Sequence, residues 1–259
     1  MIELESRSSA PSLNHHTRMA TSSGPSSVPT HLSPTQLHRL NDYLEAKCLE
    51  LTRGVRKRLE PESPYATLPA YLATSSSLVN MILLIPPSEG IRTSWLLRVT
   101  GDVFENIPAY QLETLLEAVV DDEEEKEQVP VLSEQGLEVL DRVFQLFDKL
   151  DAGWCAVIRN ERWHPTEGHG IFEPSADKPS SESNPLNPSF STTDRIRLRS
   201  LIISGKHELD DWLAEHGGGA NFDIYQRSIR VMQHTLEEIG GDVPIPVPEE
   251  EDSEEDDYS

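Results

Sequence analysis

The densest group of side chains able to ligate a metal is Cys155, Glu161, His164, Glu167 and His169. A zinc site needs ligands spaced to close a tetrahedron, as in a Cys-x2-Cys pair or two histidines one helical turn apart. This group has neither spacing. His164 precedes Pro165, and Gly168 and Gly170 bracket His169, so the segment reads as a turn and no metal is assigned. Ser204-Gly205-Lys206 fails as a phosphate site. A phosphate cradle uses several glycines to bring backbone N–H groups close, and here one glycine sits inside a helix-like stretch. There is no Gly-x-Ser-x-Gly elbow and no kinase-type glycine loop. Paired carboxylates lie in solvated acidic runs, where no burial would raise one pKa to make a general acid. No catalytic residue and no cofactor site is assigned.

Features suited to binding are clearer. Val129, Val131 and Leu132, around Pro130, follow the acidic run Asp121–Glu127. A short β-forming apolar stretch beside acids resembles the motif that adds a strand to a small ubiquitin-like modifier (SUMO) while the acids meet a basic rim. The alternative is an inter-helix loop with Val131 and Leu132 buried. Val243-Pro244-Ile245-Pro246-Val247 is a weaker version, because its alternating prolines remove backbone donors and favour polyproline II. After it come Glu249, Glu250, Glu251, Asp252, Glu254, Glu255, Asp256 and Asp257, surrounding Ser253. A serine followed by acids suits acid-directed kinases, and phosphorylation would add a charge of roughly −1.5 to −2.

The net charge is −23, and these two tracts hold more than half of it. Like charges at that density favour a solvated, extended chain. The sign argues against direct nucleic-acid binding, which needs a basic footprint, and permits attraction to basic proteins. No apolar run approaches the roughly 20 residues that span a bilayer, so no membrane partner is expected. Cys48 and Cys155 both lie on apolar stretches and read as buried thiols in a reducing compartment.

The elements that would carry these features are mainly helices. Ser33-Pro34 supplies a cap and first residue, and Leu37, Leu40, Leu44, Cys48, Leu51, Val55 and Leu59 then recur at steps of three and four. Arg53, Arg56, Lys57 and Arg58 close that helix as cations matched to its dipole; a nuclear localisation signal is the functional alternative. A short helix followed by a buried helical segment is expected between Tyr65 and Ile85. Residues 91–107 read as helix, with a hairpin about Thr100-Gly101-Asp102 as the alternative. A helix from Ala109 to Val120 runs into the acidic tract. Ser133 caps a helix that Gly153 closes near Leu150, with Trp154–Ile158 as a short strand. Ser191-Thr192-Thr193-Asp194 resembles a capping box, Gly217-Gly218-Gly219 ends the helix behind it, and one last helix carries Phe222, Tyr225, Ile229, Met232, Leu236 and Ile239 as a seam.

The expected fold is a mainly α, irregular helical bundle with minor β elements and disordered N- and C-terminal tails. The expected organisation is an arm at 1–32, a helical core at 33–163, a Pro/Ser-rich loop at 164–190, a helical hairpin at 191–241 and an acidic tail at 242–259. The layout points to a non-catalytic interaction subunit or adaptor of an intracellular complex, nuclear or nucleo-cytoplasmic, with protein partners. Two alternatives remain: an acidic escort for histones or basic ribosomal proteins, and an enzyme built from dispersed residues.

Overall fold

The computed structural model describes residues 31–87, 89–120, 126–172, 190–218 and 221–240, with backbone alone for 116–120 and 126–130. Among the described residues seven α-helices and four strands follow in order: α1 (Pro34–Arg56), α2 (Leu68–Leu83), α3 (Ile91–Asn106), β1 (Thr114–Val120), β2 (Lys126–Leu132), α4 (Glu134–Ile158), β3 (Arg162–His164), β4 (His169–Ile171), α5 (Thr192–Glu215), α6 (Phe222–Arg230) and α7 (Gln233–Gly240). The fold is mainly α with two small antiparallel sheets, β1–β2 and β3–β4. The arm before His31, residues 173–189 of the Pro/Ser-rich loop, and the acidic tail with Glu249–Asp257 and Ser253 lie outside the described residues.

α1 begins as its sequence requires. Ser33 Oγ accepts the Gln36 N–H at 3.3 Å, and Gln36 Oε1 accepts the Ser33 N–H at 2.8 Å. Leu44, Cys48, Leu51 and Val55 form its buried stripe. The stripe stops one turn early: the helix ends at Arg56, and Leu59 is 90% exposed. The cause is Gly54, which lets the Tyr65 ring lie where a Cβ would stand, while Ser63 Oγ donates to the Gly54 carbonyl at 3.0 Å and turns the chain back.

α2 is one continuous helix through Ser75, Ser76 and Ser77. α3 confirms the helical reading of residues 91–106. Thr100 Oγ1 donates to the Leu96 carbonyl at 2.7 Å and accepts the Trp154 indole N–H at 3.0 Å.

Four expectations are corrected. The helix expected at Ala109–Val120 is instead a 3-10 turn, Ile107–Ala109, followed by strand β1 paired with β2. Val119-Val120 and Val129-Pro130-Val131 are two β-forming stretches on either side of the acidic run in the sequence, and cross-strand pairing outweighs the helical spacing. Gly153 does not close a helix, and Trp154–Ile158 is not a strand. α4 runs for 25 residues through both. A helical glycine costs about 1 kcal/mol, but Leu83 packs 2.8 Å from where its Cβ would stand and Trp154, Val157 and Ile158 are buried behind it. The last helix is two. α6 ends at Arg230, Met232 takes a positive φ of 57°, and α7 starts at Gln233. The expected seam is therefore split: Met232 and Ile239 are buried, whereas Phe222, Tyr225 and Ile229 are exposed.

One buried cluster draws on α1 to α7, with the Phe104 and Phe147 rings 4.8 Å apart within it. α5 opens with the Ser191/Asp194 capping box. Trp212 Nε1 donates to the Tyr110 carbonyl at 2.7 Å, and His216 Nε2 lies 2.9 Å from the Gln111 side-chain oxygen. These bonds fix the segment between α3 and β1, which forms one end of the groove described next.

Candidate binding groove between the second and fourth helices

α2 and α4 pack side by side and leave a continuous surface groove. Its upper stretch, about 560 Å³, lies among Arg58, Leu68, Pro69, Tyr110, Leu112 and Val139. A second stretch of about 600 Å³ runs past Glu113, Glu134, Glu138 and Arg142. A third, about 250 Å³, ends at Leu72, Ala73, Ser76, Leu146 and Lys149. Pro69 borders all three. From Gln135 to Lys149 the wall formed by α4 is about 20 Å long at 1.5 Å per residue, enough for an extended hexapeptide or nearly four helical turns.

The floor is apolar. Leu68, Leu72, Leu112 and Leu146 are buried, and Val139 is half-buried. The rim carries both signs. Arg58 is held by a bond from its Nε to the Ala109 carbonyl at 3.0 Å and lies over the Tyr110 ring. Lys149 Nζ bridges to Ser76 Oγ at 2.6 Å across the far end, and burial lowers its pKa. An apolar floor with a mixed-charge rim is the anatomy of a protein interface core and its edge.

In sequence Arg58 belongs to the basic cluster with Arg53, Arg56 and Lys57. The structure gives it a separate task at the groove.

Val129, Val131 and Leu132 sit on β2, opposite Glu117, Leu115 and Thr114 of β1. Leu132 is buried and Val131 half-buried. The Ser133 N–H donates to the Glu113 carbonyl at 3.0 Å. Directly opposed residues that hydrogen-bond alternate along an antiparallel ladder with pairs that do not. Leu116 and Pro130 therefore form a non-bonded pair, which is why a proline is tolerated there. The free edge of β2 lacks a donor at Pro130, so strand addition along Val129–Leu132 would be interrupted at its centre. The free edge of β1 has no such gap.

The remaining candidates have structural partners. Cys155 is buried, and burial pushes its thiol up to about 11. His164 Nδ1 accepts the Glu167 N–H at 3.3 Å, and His169 pairs with Glu167 at 3.2 Å on the exposed β3–β4 turn. No group of three or more such ligands among the described residues is placed to hold a metal. Gly205 lies inside α5 against the Phe104 ring, and Lys206 Nζ donates to the carbonyls of Ser228, Ile229 and Val231 at 3.1, 2.8 and 2.9 Å. Lys206 thus caps the C-terminus of α6. Asp151 and His234 form a carboxylate–imidazole pair at 2.8 Å, but Asp151 also accepts the backbone N–H groups of His234 and Thr235 and caps α7.

Sequence reasoning missed the capping roles of Lys206 and Asp151, and it missed the groove. Arg92 was missed too: it is 2% exposed, its Nη1 donates to the Glu161 carbonyl at 2.8 Å, and its Nε and Nη2 have no hydrogen-bond partner among the described residues. An arginine at a helix start carries no sequence signal of burial. Among the described residues no helix is long and apolar enough to cross a membrane. No family model matches the chain, and no curated protein and no solved structure matches it.

Proposed function

We propose that the protein is a non-catalytic interaction subunit, an adaptor whose α2–α4 groove holds an apolar-anchored segment of a partner protein. The groove carries this reading: an apolar floor of Leu68, Leu72, Leu112 and Leu146 under a rim of Arg58, Arg142, Lys149, Glu113, Glu134 and Glu138. Mixed rim charge fits a polypeptide better than a nucleic acid or a phosphate ligand. The acidic tracts supply a second contact, to a basic protein, and a nuclear or nucleo-cytoplasmic setting provides such partners. The exposed Phe222, Tyr225 and Ile229 of α6 add a further apolar stripe of the kind that marks association surfaces.

The test compares partners recovered from native extract by the wild-type chain with those recovered by Ala73→Arg and Val139→Arg. Ala73 is exposed on α2, so its replacement blocks the groove without disturbing the core. A partner bound by wild type and lost from both variants, at unchanged thermal stability, supports the reading. Recovery of the same partners by all three proteins, or of the free monomer alone, removes it. An escort for histones or ribosomal proteins would instead lose its partner on deletion of Glu249–Asp257 and keep it in the groove variants.

A further inference from the structure

The solvent face of α5 is divided by chemistry. Ile196 and Ile203 are 65% and 53% exposed. Seven residues apart, they share one face about 10 Å apart along the helix. Arg195, Arg197 and Arg199 surround the first of them, and none forms an ion pair with a described residue. Beyond Lys206 and His207 the sign reverses, with Glu208, Asp210, Asp211 and Glu215. One half of this surface is basic with two apolar anchors, and the other half is acidic.

α7 ends beside it. A Cβ placed on Gly240 would lie 3.4 Å from Nη1 of Arg199, so α7 ends against α5. The next residues are Gly241-Asp242, then Val243-Pro244-Ile245-Pro246-Val247, then the acids Glu249–Asp257. Three residues reach about 10 Å from Gly240 to Val243. Two residues four apart, as Val243 and Val247 are in sequence, would span about 12 Å in polyproline II, close to the spacing of Ile196 and Ile203. Proline-fixed backbone loses little entropy on docking.

We propose that residues 243–257 dock on the body's own α5, with Val243 against Ile203, Val247 against Ile196 and the acids running on toward Arg195 and Arg197. Charge sets the direction, because the opposite course would lay the acids along Glu208, Asp210 and Asp211. The docked tail covers the apolar pair and neutralises the arginines. A basic partner must then displace the tail from α5 before binding it, and phosphate at Ser253 strengthens the docked state. The inference does not depend on what occupies the α2–α4 groove.

The test uses the full chain with Ser253→Cys carrying a nitroxide. Cys48 and Cys155 are buried and remain unlabelled. Paramagnetic broadening of backbone amides is read at about 50 mM and about 500 mM salt, which change the screening length from more than 10 Å to a few ångströms. Broadening of amides across the first three turns of α5 at low salt, reduced at least twofold at high salt, is the expected result. It is lost in Arg195→Gln/Arg197→Gln/Arg199→Gln and weakened in Ile196→Ser/Ile203→Ser, each checked for an otherwise unchanged spectrum. Broadening absent from α5, centred on Phe222, Tyr225 and Ile229, or insensitive to both sets of substitutions overturns the proposal. So does broadening that arises between labelled and unlabelled copies in a mixed sample.

Discussion

Asp151 of α4 forms the N-terminal cap of α7 through Thr235: its Oδ1 accepts the Thr235 backbone N–H at 2.7 Å and the Thr235 hydroxyl at 2.6 Å. The other carboxylate oxygen takes the N–H of His234 at 3.2 Å and its ring Nδ1 at 2.8 Å. A helix of eight residues is thereby anchored to the most buried helix of the body. Asp151→Ala orphans two backbone donors and leaves the buried Thr235 hydroxyl only the residue-151 carbonyl at 3.3 Å, and is expected to destabilise the fold by about 3 kcal/mol. Urea denaturation measures it. A loss below about 1 kcal/mol would show that α7 is held by its apolar face instead.

The same pair sets a pH dependence. The hydrogen bond to Asp151, and then its charge, raises the His234 pKa above 6.5. A raised folded-state pKa contributes stability that is fully present below pH 6.5 and lost as pH rises through the folded value. The His234 side chain is 76% exposed, so solvent screens the effect and the contribution to stability is small. An NMR titration is expected to place His234 above 6.5 in the native protein and to move it down in Asp151→Asn. An unchanged titration in that variant refutes the assignment.

Two helical glycines that look equivalent in sequence are expected to respond with opposite sign. A Cβ at Gly205 would overlap the Phe104 ring, itself wedged against Phe147, so Gly205→Ala forces the core to shift. The helix-propensity gain of up to about 1 kcal/mol is outweighed by overpacking of about 1–3 kcal/mol. At Gly101 the nearest atom is the flexible end of Leu201, at 3.3 Å. Gly101→Ala is expected to be neutral or to stabilise by about 0.5–1 kcal/mol. Chemical denaturation of the two variants side by side decides it.

Local signals made the helix starts legible. Ser33 with Pro34 and Ser191 with Asp194 announce α1 and α5, and a capping box forms at each, the first through Gln36. What was not legible depends on partners distant in the chain. The break between α6 and α7 is held by Lys206 and Asp151, each more than 20 residues from the carbonyls or amides it binds. From Phe222 to Ile239 alone, the three-four spacing describes one helix. Gly153 reads as a terminator until Leu83 is placed against it. The α2–α4 groove arises where helices separated by about 50 residues of chain meet, and no local window of sequence contains both walls.

The β1–β2 ribbon leads to a pattern of backbone protection. With Glu113 and Ser133 as a bonded pair, the amides of Leu115, Glu117, Val129 and Val131 face inward, and those of Leu116, Ala118 and Gln128 face the free edges. Hydrogen exchange is expected to be slower at the first set, alternating along each strand. Equal rates, or protection with a helical pattern, would restore the helix that the sequence favours at Ala109–Val120.

Arg92 provides the sharpest stability test. Burial lowers its pKa to about 10, and one bond to the Glu161 carbonyl is the guanidinium's sole hydrogen bond among the described residues. Enclosing an unpaired guanidinium costs several kcal/mol, whereas that charge-assisted bond contributes about 1.5–3 kcal/mol. Methionine fills a similar length with apolar atoms and needs no partner. Arg92→Met is therefore expected to leave stability unchanged or raise it by about 1–2 kcal/mol, and Arg92→Ala, which leaves a cavity, to lower it. Thermal and urea unfolding of both variants separate the cost of the charge from the value of the volume. A loss above about 3 kcal/mol in Arg92→Met would mean that an anion satisfies the free Nε–Nη2 face in solution.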